Sequence, residues 1–459
     1  MQMKRSRIIV GVVVLVALVI LARIMIVPGP MAFAKGQRVV LAQYPSNPTG
    51  VPADLTQTDP LAHGRYLAQA ADCEACHTAE GGQPFAGGRP FVTDFGTIYS
   101  PNITPDTKTG IGSWTDADFL TAVHEGRNPD GEHLYPAFPY AAYTYLTDQD
   151  VLAIKAYIFS MPPVSNVAPA NTLHFPFNQR ALMAVWALLY DPDHRFQPVA
   201  DRPADWNRGA YLVESLGHCG DCHTPRTLLQ ALNNREKFAG GMAEGWRAYN
   251  LSSDATSGIG SWTPEELQHY MSTGHSMNRG SAFGPMAQAV HLSFQNLTPS
   301  DINAISVYVR SVPPVASSDL PAPKLARSTA YPSDENHSDE KLKQGRLLFA
   351  GTCSGCHSWT GVSDFVPYAT LTGTRAVNDP TATNVALAVL RGAGPLPAAG
   401  AIATMPAFGP ALSDEEIAAV SNYVIARFGA QPSSISAADV AKLRNASGQA
   451  PRQAGDPKT

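Results

Sequence analysis

Three stretches of this 459-residue chain repeat one spacing of apolar residues. Val151, Ile154, Tyr157 and Ile158 are echoed by Ile302, Ile305, Tyr308 and Val309, and again by Ile417, Val420, Tyr423 and Val424. Steps of three, three and one place these side chains on one stripe of a helix, the face that packs on a core. Before each stripe stands a hydroxyl with an acid three residues on: Thr147 and Asp150, Thr298 and Asp301, Ser413 and Glu416. The third pair is a capping box, whereas the first two carry Asp where Glu or Gln is usual. Upstream, Gly64-Arg-Tyr66-Leu67, Gly209-Ala-Tyr211-Leu212 and Gly345-Arg-Leu347-Leu348 predict a short helix that opens each copy. The first two copies also share Gly110-Ile-Gly-Ser-Trp114-Thr115 and Gly258-Ile-Gly-Ser-Trp262-Thr263, which the shorter third lacks. A unit repeated in this way predicts an all-α chain of three like domains, at 55–165, 205–316 and 337–430.

Two apolar stretches stand outside the repeat. Ile8 to Val27 is interrupted only by Arg23 and follows Lys4, Arg5 and Arg7. Twenty helical residues cover about 30 Å, a bilayer core, so residues 1–34 are read as a transmembrane anchor with its basic end in the cytoplasm. Ala32-Phe33-Ala34 offers the alternative of a cleaved leader, and either reading exports the rest. In the linker 166–204, Phe175-Pro-Phe-Asn-Gln-Arg180 leads into Ala181-Leu-Met-Ala-Val-Trp186-Ala-Leu-Leu-Tyr190. Ten apolar residues are too few to span a bilayer. The segment either lies in the membrane interface, with Trp186 and Tyr190 at headgroup level, or fills the cleft between the first two domains. Residues 431–459, rich in Ala, Gln, Pro and Ser, read as a tail with little to build a core from.

Composition narrows the class. Hydrophobic residues at 44% and charged residues at 15% describe a globular protein. A net charge of −5 with no basic stripe argues against nucleic acid. The 38 prolines and 37 glycines announce long irregular connections.

All six cysteines fall in three motifs: Cys73-Glu-Ala-Cys76-His77, Cys219-Gly-Asp-Cys222-His223 and Cys353-Ser-Gly-Cys356-His357. This is the attachment signature of c-type haem. Two thiols three residues apart share one face of a helical turn, where both form thioethers to one haem edge. The histidine that follows supplies the proximal ligand, so His77, His223 and His357 are the expected iron ligands. A zinc site or a redox dithiol would suit one such motif, but not three that consume every cysteine. The chain therefore reads as three tandem class I-like cytochrome c domains carrying three covalent haems c. Such haems are attached outside the cytoplasm.

The sixth ligand is sought between each haem motif and the last helix. Domain three offers Met405, its only methionine, in Ala403-Thr-Met-Pro-Ala-Phe408. Domain two offers Met286 in Phe283-Gly-Pro-Met286, with Met271 and Met277 as competitors. The corresponding loop of domain one, Glu132-His133-Leu-Tyr135-Pro136-Ala-Phe138-Pro139-Tyr140, has no methionine. His133 is the expected ligand there; His124, an open iron and Met161 are the alternatives. Imidazole in place of thioether predicts a lower potential for the first haem.

The chain resembles the tri-haem cytochrome c subunits of bacterial membrane-bound, quinone-reducing dehydrogenases. Gly96-Thr-Ile-Tyr99-Ser-Pro-Asn102-Ile-Thr104-Pro-Asp106, Leu134-Tyr-Pro-Ala-Phe-Pro-Tyr140, Phe175-Pro-Phe-Asn-Gln-Arg180 and Phe283-Gly-Pro-Met286 carry the likeness. The resemblance implies that a separate catalytic subunit oxidises an alcohol, aldehyde or sugar in the periplasm. The cytochrome then passes the electrons to ubiquinone at the inner membrane. Alcohol- and sugar-oxidising members generally carry methionine where this chain has Phe138. That phenylalanine looks more like the partners of molybdenum-dependent aldehyde dehydrogenases, which bring a molybdopterin and an iron–sulfur subunit; a quinoprotein or flavoprotein partner is the other possibility. No nucleotide-binding glycine fingerprint and no further cysteine set marks a substrate-oxidising site in the chain itself. The competing expectation is a free-standing membrane-anchored carrier that feeds a terminal oxidase.

Overall fold

In each repeat the first and last helices cross at a glycine. The computed structural model describes residues 2–25, 59–191, 193–277, 279–325, 340–363, 366–392 and 404–446. The opening helices Pro60–Ala70, Ala204–Tyr211 and Glu340–Leu348 pack on the closing helices Asp148–Phe159, Pro299–Arg310 and Asp414–Phe428. A Cβ on Gly64, Gly209 or Gly345 would sit 2.0, 2.0 or 2.1 Å from the carbonyl oxygen of Ala153, Ala304 or Ala419. The glycines therefore serve close approach of two backbones, not a special φ. The predicted stripes face inward, Tyr157 alone remaining half-buried.

All three predicted caps form: Thr147, Thr298 and Ser413 accept from the backbone N–H three residues on. Only Ser413 and Glu416 close the reciprocal bond of a capping box. The two aspartates are used across modules instead. The Tyr211 hydroxyl donates to Asp150 at 2.6 Å, and the Tyr66 hydroxyl donates to Asp301 at 2.5 Å. Each tyrosine oxygen in turn accepts the cap N–H of Thr147 or Thr298, at 3.2 Å in both cases. Within its own module Asp301 takes two bonds from Arg208, at 2.8 and 2.7 Å, and His63 lies 3.4 Å from Asp150. Modules one and two thus exchange the same contact in both directions. One hydrophobic core runs through both of them and takes in Phe196 and Val199 of the connecting segment.

Module three has a core of its own, to which Trp246 of module two contributes. Polar bonds dock it: Arg247 and Tyr249 donate to buried Asp379 at 3.1 and 3.3 Å, and Arg375 donates to the carbonyls of Pro321 and Thr256 at 2.7 Å each.

Four features depart from the sequence reading. Small antiparallel hairpins interrupt the all-helical plan: Pro90–Thr93 with Gly96–Tyr99, its counterpart Gly241–Ala243 with Trp246–Ala248, and His275–Ser276 with Gly280–Ser281. Thr172–Leu173 of the linker adds a third strand to the first hairpin, opposite Gly96, where a Cβ would lie 2.2 Å from the Thr172 carbonyl oxygen. Strands this short offer too few residues for a period of two to stand out.

The supposed tail contains the helix Ala437–Ala446, which packs on the closing helix. Its Val440 is fully buried, and Arg444 donates to the carbonyls of Gly409 and Leu412 and to Asp414 at 2.6–2.9 Å. Two well-placed side chains substitute there for an apolar stripe.

The linker helix Leu182–Tyr190 forms but meets neither expectation in full. Trp186 turns inward, donating from Nε1 to the Leu229 carbonyl at 2.8 Å and meeting Tyr140 edge-on at 5.7 Å. Leu182, Val185, Leu188 and Leu189 remain exposed.

At the N-terminus a 24-residue helix, Gln2–Met25, is present. Among the described residues, however, no helix is long and apolar enough to cross a membrane. The side chains described there, residues 11–23, are all exposed and cover only about 20 Å at 1.5 Å per residue. The spanning role is therefore a proposal only, and Ala32-Phe33-Ala34 lies outside the described residues.

Candidate haem sites

Each attachment motif is a turn of helix set directly after an opening helix. Cys73–His77, Gly220–His223 and Ser354–His357 are those turns. In modules two and three a π-type turn, Leu212–Leu216 or Phe349–Cys353, joins the opening helix to the motif. None of the six cysteines is in a disulfide. Burial pushes the thiols of Cys73, Cys76, Cys219 and Cys222 up to about 12 and that of Cys353 to about 11. A redox-active dithiol needs the opposite shift.

The three histidines share one arrangement. His77 Nδ1 lies 2.9 Å from the Pro101 carbonyl oxygen, His223 Nδ1 2.6 Å from that of Tyr249, and His357 Nδ1 2.6 Å from that of Ala369. A carbonyl only accepts, so Nδ1 carries the proton and the Nε2 lone pair is left for a metal. Burial lowers the pKa of all three rings, which keeps them neutral as a ligand must be. Paired thiols beside an imidazole of fixed tautomer, three times over, fit a covalently attached haem.

Of the expected sixth ligands, Met286 is the third residue of the helix Gly284–Leu292 and is half-buried against the shared core. Its competitors are placed elsewhere: Met271 is core, and Met277 is 68% exposed. Met405 is half-buried against the third core, in a loop tied down by the Phe408 N–H on the Val389 carbonyl at 2.9 Å.

In module one, His133 is half-buried and pairs with Arg127 across a short bridge, and its Nδ1 is buried without a hydrogen-bond partner. His124 is buried in the helix Asp116–Glu125 with Nε2 unpartnered, and burial pushes its pKa down to about 4. Both imidazoles are held neutral. Met161 follows the closing helix Asp148–Phe159. Phe138 stands edge-on to Tyr143, ring centres 5.5 Å apart, and Tyr143 donates to the Ala71 carbonyl at 2.7 Å.

Two connecting residues carry no motif and escaped the sequence reading. Arg89 donates to the carbonyl of Ala75, between Cys73 and Cys76, and to Gln288 at 2.8 Å, two residues beyond Met286. It also pairs with Glu244 at 2.7 Å. One guanidinium thereby ties the first attachment turn to the helix that carries Met286, the expected sixth ligand of module two. Tyr249 is the other: its carbonyl holds His223 while its hydroxyl reaches Asp379 of module three.

Comparison with known proteins matches the first and third modules to cytochrome families. The cytochrome c family matches residues 61–162, and the family described as cytochrome c oxidase, cbb3-type, subunit III matches residues 340–424. Fold, motifs and histidine anchors thus define a multihaem cytochrome c. The fructose dehydrogenase cytochrome subunit of Gluconobacter japonicus is 38% identical, over 89% of this chain and 86% of that protein. The gluconate 2-dehydrogenase cytochrome c subunit of Pantoea cypripedii is 37% identical, over 85% of this chain and 91% of that protein. A nicotinate dehydrogenase subunit of Pseudomonas putida is 41% identical over 81% of this chain, which spans only 30% of that protein. The chain belongs to the family of cytochrome c electron-transfer subunits of dehydrogenase complexes.

Proposed function

We propose that this chain carries three covalent haems c and relays electrons from a periplasmic catalytic subunit to ubiquinone at the bacterial inner membrane. The observation that carries the reading is the threefold arrangement of paired cysteines with a histidine held through Nδ1 on a backbone carbonyl. Bound haem supplies one-electron iron chemistry. The chain's own residues would hold it: the six cysteines by thioethers, with His77, His223 and His357 and then His133, Met286 and Met405 as the side chains that would ligate the iron. Backbone carbonyls hold the rings of His77, His223 and His357 in one tautomer. The resemblance resting on Phe138 favours a molybdopterin partner with an iron–sulfur subunit, acting on an aldehyde or alcohol. The N-terminal apolar helix is proposed as the anchor that keeps the haem modules on the periplasmic face.

The match of module three to an oxidase subunit family favours a second reading, a free-standing anchored carrier that feeds a terminal oxidase. Purification in mild detergent separates the two. We expect co-purification with a catalytic dehydrogenase subunit, together with three pyridine-haemochrome equivalents per 48.9 kDa chain. A lone cytochrome reducing an oxidase would favour the second reading, and two haem equivalents would contradict the proposed number.

A further inference from the structure

We propose that the cleft between the linker helix Leu182–Tyr190 and module two binds the ring of a prenylated benzoquinone, with the tail leaving over exposed leucines at the mouth. The inference deepens the function proposed above and rests on it.

The cleft encloses about 240 Å³. That is a little under the roughly 300–1,000 Å³ of sites for drug-sized ligands, so it suits one substituted ring with a tail outside. Phe138 and Pro139 form one wall, and Trp186 and Leu189 another. The third wall includes Gly220 and Asp221, the two residues between Cys219 and Cys222. The thickness of the attachment turn itself therefore separates the cleft from the cysteines proposed to hold the second haem.

The indole is not free to swing, because its N–H is fixed on the Leu229 carbonyl and its ring meets Tyr140 edge-on. Polar groups line the same space as well, among them Arg226, Asp191, Glu214, His218 and Asn234. Arg226 is held by Asp221 and the Gln230 carbonyl. Burial pushes the Asp191 carboxyl up to about 6, so about a tenth of it carries a proton at pH 7, far more than an ordinary carboxylate, and a quinone carbonyl oxygen can accept that proton.

The mouth identifies the kind of ligand. Leu188, which lines the cleft, is 83% exposed, and Leu228, the chain neighbour of the Leu229 that holds Trp186, is 87% exposed. Leu229 is also exposed, and its carbonyl touches the helix. Large apolar side chains gathered so far into solvent mark a surface meant for an apolar neighbour. A few residues further along the same stretch, the Arg235 guanidinium donates to the carbonyl of Arg23, near the end of the apolar N-terminal helix, at 2.7 Å. One short stretch of chain thus carries the lip of the cleft and touches the end of the proposed anchor. A ligand dissolved in lipid arrives at this mouth; a soluble one has no reason to use it.

The test uses the whole complex in lipid nanodiscs, photolabelled with an azido-benzoquinone bearing a decyl tail and mapped by peptide mass. We expect label in residues 182–191 or 226–232, competed away by ubiquinone. Ala141→Phe, which fills the cleft, should cut that labelling by about tenfold or more. Haem content and absorption spectrum report whether this variant has folded; if it has not, Leu189→Arg at the lip carries the same expectation. Label mapping elsewhere, or unchanged labelling in a folded variant, overturns the cleft while leaving a quinone acceptor in place. A wild-type complex that takes no competable label and reduces no quinone overturns the acceptor itself, and the cleft with it.

Discussion

Modules one and two are built into each other, whereas module three is set against them. At the position where the first two modules carry Tyr66 and Tyr211, the third carries Leu347, which is 57% exposed. Where they carry Asp150 and Asp301, the third has Glu416, folded back into a closed capping box. The aspartates are not simply too short for that role, because Asp118 closes such a box with Thr115 in module one. A neighbouring tyrosine draws Asp150 and Asp301 away. The same repeat position is a local cap in one module and an inter-module bond in the other two, and the partner decides which.

The comparison breaks most readily at Asp301. Asp301→Ala leaves the buried guanidinium of Arg208, 7% exposed, without its carboxylate and Tyr66 without its acceptor. Removing one partner of a buried ion pair costs about 3–5 kcal/mol. Calorimetry should show the joint transition of modules one and two falling while that of module three stays. One transition that moves as a whole would dissolve the distinction.

Alkaline pH sharpens it next. Burial and the facing carboxylates hold Tyr66 and Tyr211 well above their usual pKa of 10, whereas in module three burial pushes Tyr423 only to about 12. Above pH 10 the unfolded tyrosines lose protons that the folded ones keep, so stability is complete below 10 and falls as pH rises. Each such tyrosine removes about 1.4 kcal/mol per pH unit until its folded pKa is passed. The joint transition should therefore still be falling beyond pH 12, where the contribution of Tyr423 has levelled off.

The smallest effect is expected at Tyr249. Tyr249→Phe removes its bond to Asp379, which keeps Arg247, at a cost of about 0.5–1.5 kcal/mol. Faster hydrogen exchange should be confined to module three and its contact with module two.

The helices, their caps and the attachment motifs were legible because each obeys a local rule: a period, a hydroxyl with an acid three residues on, a fixed cysteine spacing. The glycines were visible as a pattern, but their reason, a neighbouring carbonyl 2.0–2.1 Å from any added Cβ, belongs to a helix 74 to 95 residues away. The reciprocal tyrosine bonds left one faint trace, aspartate where glutamate or glutamine is usual at the cap. Arg89 left none, since it reaches groups up to 199 residues away in the chain. Nor could sequence say which way Trp186 turns: a short apolar helix looks the same whichever side is covered.

The paired tyrosine bonds also bear on how many chains form a unit. Each bond joins module one to module two, and nothing in its chemistry requires both modules to belong to one polypeptide. Two chains that traded first modules would make the same bonds four times over. What favours closure within one chain is the high effective concentration imposed by the connection from 166 to 204. That connection is itself fastened at both ends, by Thr172–Leu173 on the first hairpin and by Phe196 and Val199 in the shared core. Loosening those fastenings would turn an intramolecular clasp into an invitation to domain-swapped dimers.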